Sequence, residues 1–224
     1  TTALFFAVGV AYALLAPPVF QAQAMVQVET KAPAIPGLSD LGALGGGTSA
    51  ATTEVALLTS RTVIGSAVDS LQLDTVIEAS RFPLIGGFIA RRYKPDAPNL
   101  VAAPWMGLSS YGWGGEELKI HRFQVPPAMV GAGFVVEALE ASGQYRLLDP
   151  DGTELLHGKV GELAQGHGIS IEVESLRANA GMRFDVLKLR RLDVVNRLQE
   201  GIKATEQGKD SGILLLTYED QNAI

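Results

Sequence analysis

Any chemistry in this chain would have to come from three histidines, a few acidic pairs and the glycine runs, because its 224 residues include no cysteine. That absence removes disulfides, thiolate metal ligands and cysteine nucleophiles together, and suits the cytoplasm and a bacterial periplasm equally. His121, His157 and His167 have neither H-x-x-x-H nor H-E-x-x-H spacing, so a zinc site would need partners the sequence does not announce. A lone histidine beside a strand is usually structural. Gly208-Lys209 looks like the end of a phosphate loop, but Lys203 stands where that motif has its first glycine and Asp210 where it requires Ser or Thr. Gly45-Gly46-Gly47 with Thr48 lacks both the lysine and a strand leading into it. No serine sits in a G-x-S-x-G context, and Glu116-Glu117 reads as strand-edge solvation rather than an acid/base pair. Nothing in the sequence argues for catalysis.

Two clusters suit binding better. Arg91, Arg92 and Lys94 form the one basic cluster, read as a solvated surface or a clamp on an acidic neighbour, with an anionic glycan or lipid head group as the alternative. Trp105, Tyr111 and Trp113 could stack on sugar rings, although loop aromatics more often close over a small core or fill a subunit interface. The net charge of −6, from 24 acidic and 18 basic residues, gives no field to hold nucleic acid, and no lysine-rich block marks a lipid-surface stripe.

The elements that would position these residues begin with an apolar start. No charge occurs before Glu29, and residues 3–16 (ALFFAVGVAYALLA) are apolar apart from one glycine and the tyrosine hydroxyl. About 20 such residues span a bilayer, so this stretch reads as the outer half of a spanning helix with Leu4, Phe5, Phe6, Val8, Val10, Leu14 and Leu15 as its lipid-facing residues. A buried core helix and a secretory signal peptide cleaved near Ala22-Gln23-Ala24 are the alternatives. The anchor is preferred because a strand follows Pro17-Pro18. In residues 19–30, Phe20, Ala22, Ala24, Val26 and Val28 alternate with Gln21, Gln23, Gln27 and Glu29 in the period of a half-buried sheet.

Residues 31–52 are rich in Gly, Ala, Pro and Ser and read as a flexible connection. A single helix from Thr53 to about Leu71 follows, with Leu57, Ile64, Val68 and Leu71 as its stripe, packed on the first strand's sheet. Proline and glycine then punctuate residues 80–115, leaving one short helix near 85–93. Strands are expected at 117–125, 135–141, 144–149, 154–160 and 169–176, with a tight turn at Pro150-Asp151-Gly152. This density of short strands suggests a small antiparallel sandwich or barrel inserted into the chain. After it come a strand at 182–189, a helix carrying Leu192, Val195, Leu198 and Ile202, a polar strand at 203–209, a turn at Asp210-Ser211-Gly212 and an apolar strand at 213–220. The expected fold is therefore an α/β (α+β) membrane-proximal domain with an inserted small antiparallel β-sandwich or barrel, preceded by the end of a transmembrane helix. Its parts are 1–18 (helix), 19–80 and 176–224 (one layer built from both chain ends) and 81–175 (the insertion).

Three stretches together resemble the Wzz-type chain-length determinants, the polysaccharide co-polymerases of bacterial inner membranes: residues 12–29, 53–74 and 198–220. The last is the most specific, with Glu206-Gln207-Gly208-Lys209 followed by Gly212 and an apolar strand. VAAP at 101–104, KVGELA at 159–164 and FDVLKLRRLD at 184–193 are similar to the Wzc-like subgroup fused to a cytoplasmic tyrosine autokinase. The resemblance implies a periplasmic scaffold, beyond about residue 18, of an inner-membrane protein that forms a homo-oligomeric ring, sets the length of exopolysaccharide or capsule and supports its export. The implied partners are further copies of the chain, membrane lipid, polysaccharide polymerase and export machinery, with the growing polysaccharide as a candidate. No cofactor is implied for these residues, and ATP with magnesium only for a parent with a kinase domain. Such a scaffold needs an interface, for which Arg61 on the solvent side of the first helix and the 31–52 loop are candidates. A periplasmic adaptor of an export system and a secreted glycan-binding β domain are the competing readings.

Overall fold

Residues 20–27 and 213–220 are both eight-residue runs without proline or glycine, and in the computed structural model of the chain they are hydrogen-bonded neighbours. The structure describes residues 19–27, 50–97, 99–139, 143–208 and 212–220, together with helical positions 2, 5, 6, 9 and 12. In chain order the elements are β1 (Phe20–Gln27), α1 (Ala50–Leu58), α2 (Arg61–Leu71), β2 (Thr75–Ala79), α3 (Gly86–Arg92), β3 (Glu117–Gln124), β4 (Gly133–Ala138), β5 (Gln144–Leu148), β6 (Glu154–Lys159), β7 (Leu163–Gly166), β8 (Ile169–Arg177), β9 (Arg183–Lys188), α4 (Arg191–Gly201), β10 (Lys203–Glu206) and β11 (Ile213–Asp220). Contacts divide the chain into two units, Thr1–Ala16 with Gln72–Arg190, and Pro17–Leu71 with Arg191–Ile224.

In the second unit the sheet order is β1-β11-β10, all antiparallel, with Phe20 opposite Asp220 and Val26 opposite Leu214. The two ends of the chain thus close one sheet, as the sequence pattern required. The face assignment differs: Phe20, Ala22 and Ala24 are exposed and only Val26 is half-buried, and β1 is an edge strand with a neighbour on one side among the described residues. Leu214 of the central strand is fully buried.

The helical stretch is two helices rather than one. Thr59 Oγ1 donates to the Val55 carbonyl at 2.8 Å, and Ser60 Oγ accepts the Val63 N–H, so one helix is closed and the next capped at the same point. α1 packs on the sheet at β10 and β11, whereas α2 packs along α4, whose last residue, Gly201, lies against Tyr218 of β11. The expected stripe shrinks accordingly. Ile64 and Val68 are buried, while Leu57 and Leu71 are exposed; on α4 the buried pair is Val194 and Val195, and Leu192 is exposed.

Among the described residues the first unit contains two antiparallel sheets, β2-β9-β4-β5-β6 and β3-β8-β7, and no closed barrel. Ile169, Ile171 and Val173 of β8 share one buried core with Phe134, Val136, Tyr145, Leu147 and Phe184 of the larger sheet. Phe123 and Phe134 bridge the two sheets edge-on, with ring centres 5.5 Å apart. Alternation in β3 is loose because register shifts fall on either side of Ile120, which lets Leu118 and Phe123 both point into the core. At the 150–152 turn Gly152 has φ +83°, and Asp149 accepts the N–H of Gly152 on its carbonyl and that of Thr153 on its side chain. The unit reaches beyond 81–175 because β2 and β9 are sheet partners. For the same reason β9 does not join the β1-β11-β10 layer, contrary to expectation.

The expected end of a spanning helix is not confirmed. Among the described residues no helix is long and apolar enough to cross a membrane.

Candidate functional site

The residues of the Glu206-Gln207-Gly208 run form the turn between β10 and β11. Glu206 Oε1 accepts the Gly212 N–H at 3.1 Å, and the Gln207 N–H donates to the Ile213 carbonyl at 2.8 Å. Gly208 and Gly212 both have positive φ, +89° and +65°, a conformation that costs glycine little. Lys209 and the Asp210-Ser211 part of the expected turn lie outside the described residues. The run therefore closes a hairpin that holds β11 in place, and β11 in turn carries β1.

Arg61 is exposed at the start of α2, on the rim of a polar groove of about 720 Å³ that also includes Thr62, Ser66, Asp69, Ser70 and Arg191. Asp69 and Arg191 are joined by two hydrogen bonds of 2.6 and 2.8 Å, which hold the Asp69 carboxyl below the usual carboxylate range. Gly65 makes this possible, since a Cβ there would sit 2.6 Å from the Arg191 guanidinium. Of the expected anchor residues, Phe5 and Phe6 are helical and 77% and 75% exposed, while Leu4, Val8, Val10, Leu14 and Leu15 lie outside the described residues.

Glu116 is not solvating a strand edge. Its side chain is 1% exposed and receives the Trp113 N–H at 2.5 Å, the Gly114 N–H at 2.8 Å and Arg81 Nη1 at 2.8 Å. A buried carboxylate is tolerable only when so satisfied. The Gly112–Gly115 turn supplies the geometry: Gly114 has φ +140°, and a Cβ there would lie 2.2 Å from Tyr93. Glu117 pairs with Arg177 and Lys119. Neither acid is placed to work with the other on a substrate.

The aromatic cluster divides. Trp113 is 2% exposed, stacks on Phe82 and donates its Nε1–H to the Leu108 carbonyl, and Tyr111 meets Phe82 edge-on. These two close a small core. Trp105 leans on Trp113 at 5.7 Å but stays 52% exposed. Arg92 lies 4.2 Å over the Phe88 ring. The histidines are dispersed: His157 meets Glu154 at 2.5 Å, the His167 ring meets the Leu155 carbonyl at 2.7 Å, and His121 is exposed on β3. Among the described residues no group of three or more potential metal ligands converges.

Two family models cover the chain on either side of the unit boundary at 71–72: the chain length determinant protein model matches residues 1–71, and the model for the N-terminal domain of the tyrosine-protein kinase Wzc matches 75–189, just over half of the chain. The chain belongs to the Wzc N-terminal domain family. Relatives of this family member include EpsB of Ralstonia nicotianae, 36% identical over 98% of the chain and 29% of that protein. The tyrosine-protein kinase wzc of Salmonella typhimurium is 33% identical over 100% of the chain and 29% of its own length. The tyrosine-protein kinase etk of Escherichia coli is 29% identical over 96% of the chain and 27% of its own length. The Wzc-family chain thus spans less than a third of these relatives.

Proposed function

We propose that this chain is the periplasmic scaffold of an inner-membrane polysaccharide co-polymerase, which controls the length and export of an exopolysaccharide or capsule by assembling copies of itself into a ring. The parent protein is a tyrosine autokinase whose phosphoryl chemistry, with ATP and magnesium, lies outside these residues. The observation that carries this reading is the pairing of Phe20 with Asp220 at one end of the β1–β11 ladder. Chain entering β1 and chain leaving β11 emerge side by side, so an anchor before Phe20 holds the whole sheet against the bilayer. The exposed Phe5 and Phe6 support such an anchor.

Length control by such a domain requires no reacting group. It requires repeated subunits whose non-self-complementary faces close a ring. The polar groove at Arg61 offers one such face. Arg61→Glu in cells lacking the wild-type protein is expected to reduce the oligomer seen by native mass spectrometry and to broaden the polysaccharide length distribution. An unchanged oligomer with an unchanged distribution would count against the role of this face, and a wild-type protein that neither assembles nor affects length would count against the scaffold.

A further inference from the structure

We propose that the groove beside α3 binds a segment of acidic polysaccharide, with Trp105 as the stacking face and Arg92 as the partner of the sugar carboxylate. The groove, of about 450 Å³, is lined by Phe88, Arg92, Tyr93, Ala103, Trp105 and Trp113, and its size falls in the range that accepts a small ligand. Of the aromatic side chains that line it, Trp113 is occupied by Phe82 and Phe88 by Arg92. Trp105 is not: its edge contact with Trp113 fixes the indole while half of the residue stays in solvent. The turn that presents it is held by the Leu108 N–H donating to the Trp105 carbonyl and by Met106 at φ +51°, a strained conformation for a residue with a side chain. Strain of this kind persists where the surroundings fix it, and here it fixes a platform.

The same groove carries charge. Arg92 is held over Phe88, and Arg91 and Lys94 flank it, all three exposed. None of the three has a carboxylate partner among the described residues, although the chain carries a net charge of −6. An anion is what this rim lacks, and a guanidinium matches a planar carboxylate with paired donors. A neutral sugar would leave the cations unused, and an acidic peptide has no flat C–H face to lay on the indole. A pyranose bearing a carboxylate has both features. The ligand class rests on the scaffold function proposed above, but the groove can fail without it.

The test is calorimetric titration of the intact protein with hexagalacturonate at low salt, beside a neutral glucan of the same length, polyglutamate and phosphatidylglycerol vesicles. Hexagalacturonate is expected to bind in a salt-dependent manner and the other three not at all. Arg92→Gln should weaken binding about tenfold, and Trp105→Ala should abolish it while the circular dichroism spectrum of the native protein is retained. No binding to a wild-type protein that assembles normally overturns the groove and leaves the scaffold standing. Equal binding of polyglutamate or of the vesicles, or binding unaffected by both substitutions, also overturns it. Arg61→Glu protein that fails to assemble yet binds hexagalacturonate supports the groove and bears separately on the ring.

Discussion

Tyr145 is fully buried, and its hydroxyl has no hydrogen-bond partner among the described residues. The ring lies against Gly158, where an added Cβ would come within 2.3 Å of it. Burial, with Glu172 as the lesser cause, pushes its phenol up to about 12. The folded protein then keeps a proton that the unfolded chain releases near pH 10, so stability is complete below about pH 10 and falls as the pH rises towards 12. Tyr145→Phe is expected to remove this alkaline loss and to leave neutral-pH stability unchanged or raised by up to about 1 kcal/mol, since an unsatisfied hydroxyl is lost. Urea unfolding curves at pH 7, 10 and 11.5 check both; an equal alkaline loss in the variant would show that other groups cause it. At this scale the sequence was only partly legible. Glu116 looked like one of two adjacent surface acids, since hydropathy cannot tell a solvated carboxylate from one enclosed by inward-turned N–H groups. The glycines at 112, 114 and 115 were the available signal, because such a run lets the backbone wrap a side chain.

Elements with an unbroken period were readable in advance, and those interrupted by a local hydrogen bond were not. Ile169, Ile171 and Val173 alternate strictly and are all buried in β8. β3 breaks the alternation because its bulges move the inward face by one residue. β2 falls between the expected end of the helix near Leu71 and the proline-punctuated stretch, where no element was expected, and β7 is four residues, LAQG, without a β-branched side chain. The helix break at Thr59-Ser60 lies inside a continuous apolar stripe, where only the side-chain bonds of those two residues reveal it. The β10–β11 turn yields a prediction at this scale. Glu206→Ala removes the acceptor of the Gly212 N–H and should cost about 1 kcal/mol. Hydrogen exchange at Gly212 and Gln207 should accelerate before that of the β8 core. Unchanged protection at Gly212 would mean that the side chain does not close the turn.

Among the described residues, β1 near the start of the chain pairs with β11 near its end, and the β-rich unit lies between them in sequence. The boundaries came out less well than the order, because texture follows local composition whereas units follow sheet partners, and β2 and β9 lie on the far sides of the composition change. Family membership rests on the sequence match over residues 75–189, not on any catalytic motif. The central claim is that β1 and β11 form one sheet on the periplasmic side of a membrane. Gln23 lies directly opposite Thr217, so cysteines placed there are within disulfide reach, and the chain has no cysteine to compete. Thiol trapping of Gln23→Cys/Thr217→Cys in intact cells is the most direct measurement, because the periplasm oxidises such a pair and the cytoplasm keeps it reduced. The expected result is an intramolecular disulfide formed without added oxidant. A pair that oxidises only after cell lysis would contradict the periplasmic assignment, and one that never oxidises would contradict the sheet itself.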